Sequence, residues 1–478
     1  MPRVPIPLIG PSYQNRSLPL SAQVSKGLFP EINPEARNIV SLHAFPGLKL
    51  FSDNTGVNRG SHVMDGVAYE IFGESLLSID ENGVASNKGE VEGQGICDMA
   101  DNGDQMFIAT GNTPYLYTAS TDTLEIVTDT SVKKPTTVDY MNAQFILDHN
   151  DDENPVLGEF VTSQLTGALT ADDFVNSLDF AEAQSHPDDI SRIKVYNEMV
   201  YFFGTEGIES WWNSGVGSPP FDKVQGASRT YGLGAKWSLT ETDEFLYFLD
   251  DQRIPRRMFG LQVSNIGNPA LGAEWTKYSR VDNAIGYAFT IDQTNFYQLT
   301  FPSADRTWLY HEPSNSWFQL SFGTDNQRHR GHTHVFAYGK NLIADHSNGN
   351  LYELDADTYT DNGEVIQRRR STATIHGGLY DAPGKEIFFD RVEFVVQTGE
   401  GIASGQGSDP KMMIRFSDDG GRTYSAEEWH DLGVGGDYHK TVILFNQGSA
   451  FQRIYELIYS EPTPFSLIDA NADISLGI

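Results

Sequence analysis

The residues that most suggest chemistry lie in one short stretch, FSDDGGRTYS at 416–425. Ser417, Asp419, Gly421, Thr423 and Tyr424 fit Ser-x-Asp-x-Gly-x-Thr-aromatic, the Asp-box pattern, which raises the question of glycoside cleavage. In such a box the Asp and hydroxyl side chains bind backbone groups of a hairpin loop, and the glycines take positive φ. The box occurs once, and no arginine triad, nucleophile pair or acid can be assigned to accompany it. We interpret it as a turn.

Two other clusters could bind metal ions. His332 and His334 within RHRGHTH, followed by His346, could bind Zn²⁺, and the acidic loop DHNDDEN (148–154) could hold Ca²⁺ through oxygen ligands. The first lacks a supporting carboxylate or cysteine pair, and the second lacks the Asp-x-Asp-x-Asp-Gly spacing. Surface histidines and a solvated loop are the favoured interpretations. We therefore assign no catalytic, cofactor or metal residues and expect no enzyme.

Composition sets the class of protein. The 478 residues carry a net charge of −32 and include a single cysteine, Cys97, and neither a signal peptide nor a membrane span is evident, which predicts assembly in cytoplasm. Valine, isoleucine, threonine and aromatics are plentiful and heptads are absent, so we predict an all-β fold. The acidic surface would repel nucleic acid and anionic membranes. It serves solubility, or it lets the protein lie near DNA without binding it.

The elements that must position these residues recur along the chain. Pairs of apolar strands joined by Gly, Asp or Asn turns indicate hairpins, and their spacing of roughly 37–56 residues suits one propeller blade. The hairpins lie at 67–80, 105–120, 143–148, 199–212, 244–260, 294–311 and 341–355. They predict a β-propeller of six or seven blades over residues 61–365. Within 169–184, Thr170 could cap a short helix with Asp172 and Asp173 in its first turn.

A basic run, Gln367–Arg370, marks the predicted exit from the propeller. Three consecutive arginines cannot alternate in a buried strand without burying charge, so we expect this run at or near the propeller–sandwich boundary and not inside a blade, accessible enough that trypsin cuts it before the blades. The alternative is an edge strand with an exposed face. The alternating strands of residues 366–478 predict a C-terminal β-sandwich of jelly-roll type. Residues 1–60 form an extended N-terminal arm and a first strand. We expect residues 1–40 to order only on a neighbouring subunit, or to supply a strand that closes the last blade.

In their order along the chain, several short motifs resemble the packaged-DNA stabilisation proteins of short-tailed phages, also called tail hub or tail nozzle proteins. The first motif is AFPGLKLFSDNTGVNRG (44–60), the second is LDFAEAQSHPDDISRIKVYNEMVYFFGTEGIESWWNSG (178–215), and the Asp-box stretch with GSAFQRIYEL (448–457) follows. The residues that carry the resemblance are Pro46, Gly47, Arg59, Gly60, Phe180, Pro187, Asp188, Gly204, Glu209 and Trp211.

The resemblance implies a propeller with a flanking sandwich, assembled as a hexameric tube below the portal and head–tail adaptor in the virion tail. That tube retains packaged DNA, passes double-stranded DNA during ejection without binding it tightly, and contacts tail fibres or tailspikes and distal tail-tip proteins. No cofactor is implied. Two alternatives stay open: a propeller that serves as a soluble binding scaffold, and a tail-associated glycan hydrolase.

Overall fold

The computed structural model describes residues 3–35, 38–153, 155–165, 167, 169–183, 188–324 and 327–477. These residues form an all-β protein, a β-propeller followed by a β-sandwich, as the sequence predicts. The sheets of the described residues resolve into seven four-stranded blades and two packed sandwich sheets.

The blades follow one another in chain order. Blade 1 is Asn58–Met64, Val67–Phe72, Ser75–Ile79 and Ala85–Glu90; blade 2 is Asp98–Asp101, Gln105–Ala109, Tyr115–Thr118 and Thr123–Ile126. Blade 3 is Val138–Met141, Gln144–Asp148, Glu159–Ser163 and Val175–Glu182; blade 4 is Ile190–Tyr196, Met199–Gly204, Ile208–Asn213 and Phe221–Lys223. Blade 5 is Thr240–Glu241, Leu246–Leu249, Pro255–Phe259 and Gln262–Asn265; blade 6 is Ile285–Ile291, Thr294–Phe301, Arg306–His311 and Ser316–Leu320. Blade 7 comprises Gly331–Ala337, Lys340–Asp345, Gly349–Asp355 and Gly47–Asn54.

Local sequence explains the hairpins of the blades, as blades 4 and 6 illustrate. In blade 4 the second strand, Met199–Gly204, is apolar and almost wholly buried, because the neighbouring blades cover both of its faces. The two-residue turn before it, Asn197 and Glu198, has positive φ at both positions, the geometry of a type I′ hairpin. The same turn recurs at Asp292 and Gln293 in blade 6. Tight turns between apolar strands are the signal that the hairpin prediction used.

The ring is closed by an early strand. Gly47–Asn54 pairs antiparallel with Gly349–Asp355, so blade 7 joins strands almost 300 residues apart in sequence. Gly47 starts this strand against Thr360, whose carbonyl oxygen would lie 2.3 Å from a Cβ atom at position 47. Only glycine fits there. A short strand, Thr360–Asp361, pairs parallel with the closing strand and antiparallel with Glu364–Val365.

The sandwich combines strands from both ends of the chain. Its first sheet has the order Val442–Phe445, Ile387–Val396, Ser466–Leu476, Val40–Ala44 and Leu28–Ile32, with Arg3–Pro5 and Ser449–Ala450 paired beside it. Its second sheet has the order Ser25–Lys26, Arg368–Ser371, Gln452–Tyr459, Lys411–Ser417 and Glu428–Asp431, with Ile375–His376 on Gln452–Tyr459. A bridge from Lys26 to Gln319 makes the second sheet continuous with blade 6.

The N-terminal segment packs on its own chain. Ile6, Leu8, Leu28 and Leu42 are buried in one hydrophobic cluster with the sandwich and with blades 6 and 7. A small hairpin, Tyr13–Gln14 with Ala22–Gln23, lies between these strands. The expectation that residues 1–40 order only on a neighbouring subunit is therefore wrong for the described residues. The alternative was that residues 1–40 supply the strand that closes the last blade. That strand is Gly47–Asn54, which follows the arm in sequence.

The basic run is a buried strand. The run lies in the second sandwich sheet and not inside a blade, as predicted, but Arg368 and Arg370 have only 1% and 0% exposure, which contradicts the expected accessibility on which early cleavage by trypsin depends. Arg370 donates to the carbonyl oxygens of Leu8, Pro11 and Val24 and to the Gln23 side chain. Burial lowers the pKa of Arg370 to about 9. Backbone carbonyl groups of the N-terminal arm solvate this charge. The sequence around Arg370 does not reveal these partners.

The helix expected at 169–184 is also wrong, because Val175–Glu182 pairs as a strand with Glu159–Ser163. The one α-helix of the described residues is Pro269–Trp275, whose N-terminus is capped by the Asn268 side chain. Short 3₁₀ turns lie at Lys236–Ser238, Pro302–Ala304 and Gly377–Tyr380. Among the described helices, none is long and apolar enough to cross a membrane.

Candidate functional site: the propeller channel and its rims

A cavity of about 550 Å³ runs along the axis of the propeller. The first strand of every blade lines it, as is usual where blades converge. Because the first strand of each blade runs in the same direction, the cavity has two different ends. One lies where these strands begin, and the other lies where they turn back.

Side chains reach across the channel at the end where the first strands begin. Arg192 of blade 4 donates to the Asp98 carboxylate of blade 2, 3.3 Å away, and so passes over blade 3. Lys236, just before blade 5, donates to Thr136, just before blade 3, at 2.6 and 2.8 Å. Both cations also lie about 5 Å from the ring centroid of Trp237. This end is spanned by charged side chains.

At the other end, polar contacts join only neighbouring blades. His62 of blade 1 lies 2.6 Å from Asp101 of blade 2. Lys194 of blade 4 lies 2.9 Å from Glu241 of blade 5 and 3.6 Å from Asp139 of blade 3. Burial lowers the pKa of Lys194, but the two carboxylates outweigh it, and the net shift is upward. We call it the open end, because the ion pairs of its described residues join adjacent blades only.

A neutral carboxyl group lies beside the channel between blades 1 and 7. Glu70 is fully buried and accepts hydrogen bonds from Asn58, at 2.6 Å, and from Ser61, at 2.5 Å. Ser61 also contacts Thr333 of blade 7 at 2.6 Å. Burial raises the pKa of Glu70 to about 8, since no cation lies among these partners. Glu70 is therefore protonated at neutral pH and serves packing between the blades.

The two rims of the propeller differ in charge. The connectors from first to second and from third to fourth strands of the blades lie on the side of the open channel end, and we call this surface the acidic rim. Its described connectors contain twelve acidic residues and no lysine or arginine, and all the acidic residues except Glu312 are exposed. They are Asp65, Asp80, Glu81, Asp104, Asp122, Asp172, Asp173, Glu198, Asp243, Glu244, Asp292 and Glu312.

The opposite rim consists of the connectors from second to third strands and from one blade to the next. Its described residues combine fourteen acidic with nine basic residues. The basic residues are Lys133, Lys134, Arg229, Lys236, Arg253, Lys277, Arg280, Arg328 and Arg330. Ion pairs such as Arg280–Asp282 and Lys277–Glu274 neutralise much of this surface.

The N-terminal motif residues of the sequence analysis have structural positions. Pro46 is buried beside Gly47 where the closing strand begins. Arg59 donates to the carbonyl oxygens of Gly73, Val91 and Gly95 and so ties together the connectors of blades 1 and 2. Gly60 faces Met99 and Cys97 of the neighbouring blade, with no room for a side chain.

The second motif joins blades 3 and 4. The Asp188 carboxylate accepts from Thr205 Oγ1 at 2.7 Å and from the Glu206 amide at 2.5 Å, and it lies where a Cβ at Gly204 would be. Trp211 Nε1 donates to Glu209 at 3.0 Å. The other two motif residues are Phe180, whose ring lies 5.3 Å from that of His149, and Pro187, which lies outside the described residues.

The Asp box forms a closed turn. Asp419 accepts from the Thr423 hydroxyl at 2.6 Å, from the Ser417 hydroxyl at 2.7 Å and from the backbone of residues 422 and 423. These hydrogen bonds lower the pKa of Asp419 below the ordinary carboxyl value, and those from Thr423 have the largest effect. Tyr424 lies under the Arg415 guanidinium at 4.7 Å.

The glycines of this turn allow the N-terminal arm to pack against it. A Cβ atom at Gly421 would lie 2.9 Å from the Ala22 side chain, and one at Gly420 would lie 2.8 Å from the Pro19 backbone. Both glycines have positive φ. The box therefore uses its polar atoms internally and presents its backbone to the arm.

No group of three metal-binding side chains occurs among the described residues. His334 stacks on Tyr287 and bonds Asn341, and His346 bonds Arg328. They are partly buried strand and turn residues, so their interpretation as surface histidines of a loop was wrong. The Asp148 carboxylate accepts from the amides of residues 136 and 137 and from Asn150.

The fold and the channel define the class of protein. It is a two-domain β-protein whose propeller channel is spanned by charged side chains and whose propeller shares one hydrophobic core with a sandwich. Residues 3–359 match the family model described as Bacteriophage P22 Gp10, beta-propeller, and residues 375–475 match Bacteriophage P22 Gp10, beta-sandwich. The first match covers more than half of the chain. The chain therefore belongs to this family of short-tailed phage proteins, the tail proteins that stabilise packaged DNA.

The solved structures that resemble the chain have low sequence identity to it. The designed Ika8 protein is 6% identical, with a TM-score of 0.38, and the match covers 65% of this chain and 99% of that one. The Pan2 WD40 domain of Neurospora crassa is 8% identical, with a TM-score of 0.42 and coverage of 64% and 94%. The extracellular domain of a hybrid two-component system from B. thetaiotaomicron is 10% identical, with a TM-score of 0.43 and coverage of 84% and 47%. No curated protein matches the chain.

Proposed function

We propose that this protein forms, with further copies of itself, the tail tube below the portal and head–tail adaptor of a short-tailed phage. Six copies surround the DNA path, retain the packaged genome and conduct it during ejection. The observation that carries the proposal is the family match, which extends over both the propeller and the sandwich. The role is structural, without an enzymatic step, and assembly takes place in the host cytoplasm before the protein enters the virion tail.

The size of the propeller channel supports a DNA path between subunits. The major groove of B-DNA alone is about 12 Å wide. A cavity of about 550 Å³ that Arg192 and Lys236 span has no room for a duplex. DNA must pass beside the propellers, through a lumen that several copies enclose. Tail fibres or tailspikes and the distal tail-tip proteins then occupy the outer and lower surfaces of the tube.

Net charge supports conduction without tight binding. At −32 per chain, the protein offers no excess of cations to release the counterions of DNA. Retention of the genome then comes from a closed constriction of the tube.

The test uses purified protein and DNA-filled heads that carry portal and adaptor but lack this protein. We expect addition of the protein to build a six-fold tube visible by electron microscopy and to stop DNA leakage. The protein alone should bind no duplex DNA at physiological salt. A protein that stays monomeric and never joins the heads would overturn the assignment, and tight, salt-sensitive binding of duplex DNA would overturn conduction by sliding.

A further inference from the structure

We propose that the acidic rim of the propeller is the surface that faces DNA in the tail. This inference rests on the proposed function and adds an orientation to it: the connectors from first to second and from third to fourth strands point toward the lumen. The opposite rim, with its mixed charges, points away from DNA.

The first argument is the uniform sign of the rim charges. Among the described rim residues, Asp122 alone forms an ion pair, with Lys88 of the adjacent strand. The opposite rim and the sandwich place both signs side by side, in pairs such as Lys440–Asp431 and Arg391–Glu393. Mixed charges already suffice for solubility. A field of a single sign is expected where a surface must repel a charged neighbour.

The second argument is the cost of covering the rim with protein. A partner on this face would remove from water eleven exposed carboxylates, and all of them except Asp122, which Lys88 already pairs, would need a new cation. Carboxylates that face a lumen keep their water. The open channel end adds to the charge at the centre of the rim, where the Glu241 side chain is 45% exposed.

The third argument is the range of the repulsion. B-DNA carries one phosphate charge per roughly 1.7 Å of its axis, and the Debye length is about 8 Å at physiological ionic strength. Carboxylates on loops that project into a lumen lie within that range of a passing duplex. They hold the phosphates away from the basic and polar groups that would otherwise slow the DNA.

The test compares two charge reversals of equal size in assembled particles. The rim variant combines Glu81→Lys, Asp172→Lys, Asp243→Lys and Glu244→Lys. The matched control on the opposite rim combines Glu74→Lys, Glu92→Lys, Glu206→Lys and Asp251→Lys. All eight side chains are exposed, and no hydrogen bond or ion pair of the described structure involves their carboxylates. A third variant places glutamine or asparagine at the four rim positions, and thermal unfolding checks the fold of each protein.

We expect the rim variant to slow triggered DNA ejection by at least about tenfold, because four added cations create salt-sensitive phosphate contacts. The delay should shrink as salt rises, the glutamine variant should lie closer to the parent protein, and the control should eject at the parental rate. Equal ejection by rim variant and parent, or a delay in the control as large as that in the rim variant, would overturn the orientation. Failure of the parent protein itself to join the heads would overturn the proposed function instead.

Discussion

The propeller and the sandwich bury their sheets in different ways. Blades 1–6 consist of strands that follow one another directly, so each blade needs only its own hairpins. The sandwich pairs Arg3–Pro5 with Asn471–Asp473 and Val40–Ala44 with Ser466–Leu467, strands more than 420 residues apart. Both domains bury charged side chains, among them Glu70 and Asp345 in the propeller and Arg368, Arg370 and Glu456 in the sandwich. The blades pair strands that are close in sequence, whereas the sandwich pairs strands that are distant. We therefore expect deletions and substitutions to affect the stability of the two domains differently.

The largest expected effect comes from deleting residues 1–46. This removes five side chains buried in the shared core, Ile6, Leu8, Leu28, Leu42 and Phe45. At about 2–5 kcal/mol each, their loss amounts to about 10–25 kcal/mol, as large as or larger than the 5–15 kcal/mol that typically stabilises a domain. We expect amide hydrogen exchange to become fast in Ile387–Val396 and Ser466–Leu476 and to stay slow in blades 2–4.

The matched control for this deletion is Leu20→Ser, which changes an arm residue that is 71% exposed and should leave exchange unaltered. Retained protection of the two sandwich strands after the deletion would show that the arm is dispensable there, contrary to the comparison.

A smaller contrast concerns two buried glutamates. Glu456 of the sandwich is paired with Arg369 and Arg415 at 2.5 and 2.6 Å. Glu456→Gln leaves Arg369 without its carboxylate and Arg415 with only Glu427 at 3.5 Å, so it should cost about 3 kcal/mol. Glu70 of the propeller has no cation and a pKa raised to about 8. Glu70→Gln keeps the neutral form that the fold already holds, so it should not destabilise the protein at neutral pH.

The pH dependence sharpens this contrast. Because the folded protein holds the Glu70 proton above the ordinary carboxyl pKa of 4.5, stability should fall as pH rises from about 4.5 to 8, by up to about 1.4 kcal/mol per unit. Glu70→Gln should remove this slope, so its advantage in stability over the parent protein should grow from about pH 4.5 and reach its full size near pH 8. Denaturant unfolding across pH 5–9 measures both effects, and a parental slope that persists in the variant would mean another group is responsible.

The smallest effect should come from the Asp box. Asp419→Ala removes an exposed acceptor of hydrogen bonds from the turn, so the unfolding midpoint of the sandwich should drop by only a few degrees. Exchange should quicken at Ala22, where the arm meets the turn. A glycan-cleaving activity present in the parent and lost in a folded variant would instead assign the box a chemical role.

The contrast between the domains also explains what the sequence could predict. Hairpins recur within short windows, so the blades were visible in the alternation of apolar strands and Asp or Asn turns. The closing strand Gly47–Asn54 and the arm strands of the sandwich were not, because pairing partners hundreds of residues away leave no local pattern. Arg370 looked exposed for the same reason, since the arm carbonyls that solvate it are remote in sequence.

Other features were accessible but missed. Asn268 followed by Pro269 is a helix start that the sequence displays openly. The acidic rim could also have been found, by counting charges in every second connector between predicted strands. The contacts that span the channel could not, because Arg192 and Asp98 become neighbours only when the ring closes.

The pairing of the two chain ends has a consequence for biosynthesis. Gly47–Asn54 leaves the ribosome early and waits for Gly349–Asp355, which at about 5–20 residues per second takes roughly 15–60 s to appear. Arg3–Pro5 waits longer still, because its partner, Asn471–Asp473, lies farther along the chain than Gly349–Asp355. A prematurely terminated chain therefore lacks both the final strand and a place for its first one. Completion of the sandwich therefore depends on chain length, and a truncated copy would lack part of the core that the sandwich shares with blades 6 and 7.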